Sequence, residues 1–123
     1  MKDDTKNVLA EQDVIDAARD SKKEIRKEER AAIKELKSEY KDFKSKAKNE
    51  EDGFLPGDVG VAKEARAYAK EDIEMDARDG LDSIDDLLDE YLGDNRKSAR
   101  GTIKEMKDVV NETTLEIDSY LYQ

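Results

Sequence analysis

The chain of 123 residues contains no histidine and no cysteine, and this double absence excludes several kinds of chemistry. Without thiolates or imidazoles, the usual ligands of zinc, iron–sulfur clusters and haem are missing. There is also no histidine base to activate a serine nucleophile, and no glycine-rich phosphate loop. We therefore expect a protein that is not an enzyme and that holds no cofactor.

Glycine is scarce, yet one glycine lies in an aspartate-rich stretch, MDARDGLDSIDDLLDEY, which begins at Met75. A calcium loop carries Asp at its first, third and fifth positions, Gly at the sixth and Glu at the twelfth. With Gly80 at the sixth position, Met75 falls at the first and Ala77 at the third, so two ligands are missing. The sequence therefore predicts no metal site.

Apolar residues are few and none of them is tryptophan. Only 36% of the residues are hydrophobic and 46% are charged, so a broad core is not available. No apolar run approaches the roughly 20 residues of a membrane span, and the first residues lack the apolar segment of a signal peptide. We expect a cytoplasmic protein that does not contact a membrane and whose apolar residues form narrow stripes on long helices.

Proline and glycine divide the chain into three predicted helices. The segment 49–60 holds the only proline and three of the six glycines, so it is the predicted loop. Apolar residues recur at steps of three and four elsewhere, which predicts helices at about 4–48, 61–92 and 95–121. The simplest architecture is a single all-α domain, residues 1–123, built as a long antiparallel three-helix bundle that resembles a coiled coil.

The same steps predict the core and the helix ends. The predicted core residues are Val8, Ile15, Ala18, Ile25, Ala32, Ile33, Leu36, Tyr40, Phe43, Ala47, Ala62, Ala65, Ala69, Ile73, Ala77, Leu81, Ile84, Leu88, Tyr91, Ala99, Ile103, Met106, Val110, Thr113, Ile117 and Tyr120. Gly80 lies in phase inside the second helix, and Asp94 or Asn95 is expected to begin the third. A break at Ser21 would instead give a monomeric four-helix bundle.

The first helix is predicted to be longer than the helices that pack along it. A second helix that ends near Leu92 reaches back only to about Ala17, which leaves Val8 to Ile15 without an apolar partner in the same chain. Because an unpaired apolar stripe usually packs against another chain, we expect a homodimer or homotetramer joined through the first helix.

Charge is distributed unevenly in a chain whose net charge is −10. Residues 71–94 hold 11 acidic side chains and one basic one, whereas residues 22–48 hold 11 basic and 6 acidic ones. One interpretation is that the acidic flank of the second helix pairs with the basic flank of the first. DNA binding requires instead that the first helix presents its bases outward, and binding of a basic protein requires that the second presents its acids outward.

Several short motifs lie between about residues 25 and 93. They include KDF at 41–43, AK at 47–48, GF at 53–54 and LLDEYLG at 87–93. In this order they resemble the GapR-like family of bacterial nucleoid-associated DNA-binding proteins. The resemblance implies a bacterial or phage protein that is an all-helical oligomer, built from dimers joined along the long helix, and that clamps duplex DNA without reading base identity.

The chain also departs from that family pattern. The helix after the GF motif is less basic here, since GVAKEARAYAKED offers only three bases, and fewer phosphate contacts mean weaker binding. The loop is longer, an extra segment of about IEMDA precedes the acidic end, and residues 95–123 have no counterpart in the match.

Two sets of candidate site residues follow. The first would contact the phosphates of duplex DNA, and its members share one face of each helix: Lys34, Lys41, Lys48, Lys63, Arg66 and Lys70. The second belongs to an alternative function, in which a face of carboxylates mimics DNA or inhibits a partner by occupying its basic protein surface: Asp72, Asp76, Asp79, Asp82, Asp86 and Asp89. A coiled-coil adaptor or scaffold that uses neither face is a further alternative.

Overall fold

The computed structural model describes residues 2–49, 56–94 and 96–121, and it describes side chains for residues 10–45, 60–94 and 96–121. This part of the chain contains three helices and no strand: α1 (Lys2–Asn49), α2 (Pro56–Gly93) and α3 (Ala99–Ser119). The prediction of an all-α three-helix bundle is confirmed. In the same residues, no helix has a stretch long and apolar enough to cross a membrane.

The two long helices are continuous, as predicted, and extend beyond the predicted bounds. α1 passes through Ser21 without a break, and the Ser21 side chain is buried, so the four-helix alternative is wrong. α2 begins at Pro56, five residues before the predicted start, and Gly60 lies inside it. Proline is favourable at the first position of a helix because the N–H it lacks would have no partner in the first turn. Residues 50–55 of the predicted loop lie outside the described residues.

Ser98 caps α3, in place of the predicted Asp94 or Asn95. The Ser98 Oγ accepts a hydrogen bond from the Gly101 backbone N–H at 2.9 Å. The Ser98 carbonyl accepts a second hydrogen bond from the Thr102 hydroxyl at 2.8 Å. The Thr102 side chain is buried, and this bond gives its only polar atom a partner. Asn95 itself lies outside the described residues. The prediction of the helix start was therefore about four residues too early.

The core is a narrow column between the three helices. Its buried apolar members are Val14, Ala18, Ile25, Ala32, Leu36, Ile73, Ala77, Ile84, Met106 and Ile117. Most of them were predicted. The exception is Val14, because the steps of three and four predicted its neighbour Ile15, which is half-buried. The predicted core residue Ala65 is exposed. Neighbouring apolar residues on a helix compete for the inward position, and the packing partners decide between them.

Gly80 lies at a close approach between α2 and α3. A Cβ atom at this position would lie 2.5 Å from Thr113 Oγ1 and 2.8 Å from Thr113 Cγ2. Glycine costs about 1 kcal/mol relative to alanine in a helix interior, and here its missing side chain gives the Thr113 side chain its space. The predicted continuity of α2 through Gly80 is confirmed.

The helices run up, down and up. Lys22 Nζ lies 2.9 Å from Asp85 Oδ1, whereas the later Tyr40 lies against the earlier Arg66, so α1 and α2 are antiparallel. At the end of α3, the Tyr120 hydroxyl donates a hydrogen bond to the Asp76 carboxylate of α2, which raises the pKa of Tyr120 to about 12.

Beyond the end of α3, α1 and α2 continue as a pair that we name the two-helix arm, consisting of residues 36–49 and 56–72. Leu36 lies beside Leu121 at the base of this arm. The predicted overhang lay at the opposite end of α1, and there Val14 is completely buried by its own chain. The side chain of Val8 lies outside those described, so association through that end stays a prediction.

Candidate nucleic-acid interface

Nine basic side chains form a continuous strip on the outward side of α1, which we name the basic ridge. Its members are Arg19, Lys23, Arg26, Lys27, Arg30, Lys34, Lys37, Lys41 and Lys44. All nine are exposed, and within the described residues none of them forms an ion pair. At about 1.5 Å per residue the ridge is about 38 Å long. That length is close to one turn of duplex DNA, roughly 34–36 Å.

The acids of the same stretch of α1 lie on its other flanks. Asp20, Glu24 and Glu28 line the groove between α1 and α3. Glu29 faces α2, where burial and then the Glu74 carboxylate raise the pKa of Glu29. Because the acids lie on other flanks of α1, the outward strip carries bases alone.

The structure divides the predicted DNA-binding residues. Lys34 and Lys41 belong to the basic ridge, as the seven-residue spacing predicted. The side chain of Lys48 lies outside those described. Lys63 is exposed near the start of α2. The first helix therefore does present bases outward, which is the geometry that DNA binding requires.

Arg66 and Lys70 make contacts within the chain. The guanidinium carbon of Arg66 lies 5.3 Å from the centroid of the Tyr40 ring, a cation–π contact between the two helices of the arm. Lys70 Nζ lies 3.7 Å from Glu74 Oε1, one turn further along α2. The six residues predicted to contact DNA therefore do not form one outward surface, because Arg66 and Lys70 of α2 have partners within the chain.

The outward side of α2 carries the opposite charge. Its exposed aspartates, which we name the acidic ridge, are Asp72, Asp79, Asp82, Asp86 and Asp89. The sixth predicted member, Asp76, is half-buried and turned toward α3. Among the described residues no ion pair involves the acidic ridge, and no group of three or more acidic side chains is placed to hold a metal ion.

Charge pairing between α1 and α2 explains little of the charge pattern. In the described part of the chain the only ion pair that joins these two helices is Lys22 with Asp85, at 2.9 Å. The basic ridge of α1 and the acidic ridge of α2 point to different sides of the molecule. The interpretation that one flank neutralises the other is therefore wrong for most of these residues.

Seven members of the basic ridge were not predicted as site residues: Arg19, Lys23, Arg26, Lys27, Arg30, Lys37 and Lys44. A signal for them exists in the sequence, since the bases recur at helical steps that no acid shares. Counting charge over residues 22–48 hid this signal, because the count averages the outward strip with the acidic flank that faces α3.

Known proteins offer no independent guide to this surface. The resemblance to the GapR-like family stays a prediction that rests on the short motifs at 41–43, 47–48, 53–54 and 87–93. No protein-family model, curated protein or solved structure matches the chain.

Proposed function

We propose that this chain is a non-enzymatic protein that binds duplex DNA through the phosphate backbone and clamps it as a homo-oligomer. The observation that carries the proposal is the basic ridge, nine exposed bases in line with no acid among them. Contacts to phosphates position a protein on the duplex and carry no sequence information, so we infer that binding does not depend on base identity.

The net charge of −10 does not oppose this function at short range. Packed helix axes lie about 8–10 Å apart, and the two ridges point away from the bundle in different directions. Their charged ends are therefore separated by more than the screening length of about 8 Å at physiological ionic strength. DNA that approaches α1 meets the bases, and salt screens the acids on α2.

A clamp requires a second copy of the chain, because one straight ridge covers only one side of a duplex. Light scattering of the purified protein measures this part of the proposal. We expect a mass of two or four times the 14.0 kDa of one chain. A mass of one chain would remove the clamp and leave a single-sided contact.

The DNA-binding proposal is tested with two fluorescent duplexes of equal length and unrelated sequence, titrated with protein at about 50 mM salt. We expect Kd values that agree within about twofold, because phosphates are identical in both. A Kd that differs more than tenfold would show base reading and contradict the proposal. Absence of binding to both duplexes would reject DNA binding altogether.

A second candidate function uses the acidic ridge. Asp79, Asp82 and Asp86 are exposed along one side of α2, and such a row of carboxylates can occupy the basic groove of another protein in place of DNA phosphates. This function is favoured if the chain fails to bind DNA at low salt but competes with DNA for a basic DNA-binding protein. Asp79→Lys/Asp82→Lys/Asp86→Lys should abolish that competition.

A further inference from the structure

The groove that α3 fills between α1 and α2 continues past the end of α3 along the two-helix arm. This open groove has a volume of about 610 Å³. Leu36 and Phe43 of α1 and Ala62 and Ala69 of α2 line it, and Leu121 lies at the end nearest α3. In the three-helix half the same track is closed by the apolar face of α3, so the groove has the shape and the apolar lining of a site for one more helix.

Acidic side chains border this open groove. Glu39 lines it directly, and Glu35 and Asp42 lie about one turn to either side on the same flank of α1, where both are exposed. On the α2 side, the charge of the Asp72 carboxylate helps to raise the pKa of Tyr120, and Tyr120 also lines the groove. Arg66 of α2 also lines the groove, with its guanidinium held against the Tyr40 ring. No base of the basic ridge lies among the lining residues, because the ridge occupies the opposite side of α1.

α3 itself shows what kind of helix fits against this flank of α1. Over its first half, α3 places Lys104 and Lys107 in the same clefts as Asp13 and Asp20 of α1. Its helical pattern is therefore an apolar stripe with bases along the edge that faces the acids of α1. The acidic flank of α1 continues into the arm, where α3 no longer covers it.

The end of α3 shows the opposite case. There Asp118 meets Glu28 of α1, and two carboxyl groups lie side by side. The hydrogen bond to Asp118, followed by burial, raises the pKa of Glu28 to about 7. An acidic edge against this flank therefore raises the pKa of a carboxyl group there, whereas a basic edge complements the charge of the flank.

We propose that the open groove of the arm binds an amphipathic helix of a partner protein, one whose apolar stripe is flanked by Lys or Arg. The partner helix lies in line with α3, with its apolar side chains against Leu36 and Phe43 and its bases against Glu35, Glu39 and Asp42. Residues 36–45 of α1 offer about 15 Å of groove, so the bound segment is about ten residues long. This site is independent of DNA binding, which uses the other side of α1.

The test uses two synthetic 12-residue helical peptides with a fluorescent label. Both carry Leu at steps of three and four, and one has Lys along its edges while the other has Glu. Fluorescence anisotropy with the intact chain measures each Kd. We expect the Lys-edged peptide to bind at least tenfold more tightly than the Glu-edged peptide. Equal affinities, or no binding of either peptide, would overturn the proposal.

A charge swap makes the test specific to this groove. Glu35→Lys/Glu39→Lys/Asp42→Lys should reverse the preference, so that the Glu-edged peptide binds more tightly, a gain that an unfolded variant cannot show. Asp82→Lys/Asp86→Lys/Asp89→Lys changes the net charge equally on a distant surface, and it should leave the preference unchanged. If both variants shift the preference equally, the attraction is nonspecific and the proposal is wrong. It is equally wrong if a second copy of the chain fills the groove and excludes both peptides.

Discussion

The three-helix half and the two-helix arm are built from the same two long helices, yet they differ in what they bury. In the three-helix half, Ile25, Ile73 and Ile84 are completely buried between helices. In the arm, Phe43 is half-buried and Ala65 is exposed, and no third helix of the described part of the chain covers the seam between α1 and α2. Stability is therefore expected to come from the three-helix half, while the arm offers an open groove, and the basic ridge runs along α1 through both regions.

The largest expected difference between the two regions is in how much the free energy of unfolding falls when an apolar side chain is shortened to alanine. Ile84→Ala should lower the free energy of unfolding by about 2–5 kcal/mol, because it leaves a cavity surrounded by three helices. Phe43→Ala should cost less than half as much, because water already reaches this side chain in the arm. Urea unfolding followed by circular dichroism measures both. Equal losses would show that the arm contributes to the core as strongly as the bundle.

Two glycines sharpen the comparison, because replacing each with alanine should change the free energy of unfolding in opposite directions. Gly80→Ala should destabilise by about 1–3 kcal/mol, since its Cβ would lie 2.5 Å from Thr113 Oγ1. Gly60→Ala in the arm should stabilise the fold by up to about 1 kcal/mol, since within the described residues no side chain or other helix lies within 4 Å of the added Cβ.

The second substitution Thr113→Ala tests the cause of the Gly80→Ala effect. It removes Oγ1 and Cγ2, the two atoms that a Cβ at Gly80 would meet most closely. The double variant should therefore lose less stability than the sum of the two single variants. Additive losses would show that the contact with Thr113 is not the reason why glycine is needed.

The smallest expected effect is a pH dependence at the boundary between the two regions. The pKa of Glu28 is about 7 in the folded chain against an ordinary 4.5, so the folded state binds the extra proton between these values. The contribution of Glu28 to the free energy of unfolding therefore falls as pH rises from about 4.5 to 7.

Glu28→Gln removes this titration. The stability of the variant relative to the unmodified chain should rise over the same pH range, and urea unfolding at pH 4.5 and pH 7.5 measures the change. Glu39→Gln, an exposed position on the same flank, serves as the control. A difference between Glu28→Gln and the unmodified chain that is constant with pH would contradict the assignment.

Much of the fold follows from local pattern. The steps of three and four placed Ile25, Ile73, Ile84 and Ile117 in the core, and all four are buried. Helix ends were less accurate, because the choice between Asp94 and Ser98 as the cap depends on how the chain turns between α2 and α3. Where α3 ends along α1 is also a tertiary property, since it depends on the register between helices. For that reason the open groove was not predicted.

The candidate site was predicted in part. Lys34 and Lys41 were identified by their spacing, and both lie on the basic ridge. The prediction for Lys70 overlooked its ion pair with Glu74, one turn further along α2. Such an i to i+4 pair competes with any external partner of the lysine. Sorting charges by the direction in which each flank faces requires the neighbouring helices, which the sequence alone does not place.

The most direct test of DNA binding through the basic ridge is the salt dependence of affinity, measured as log K against log salt concentration. Lys27→Gln/Lys34→Gln/Lys41→Gln removes three bases from the ridge, whereas Arg100→Gln/Lys104→Gln/Lys107→Gln removes three exposed bases from α3. Both variants change the net charge equally. We expect the ridge variant to bind more weakly and to lose about three units of slope, and the α3 variant to match the unmodified chain. Equal slopes for both variants would contradict binding through the ridge.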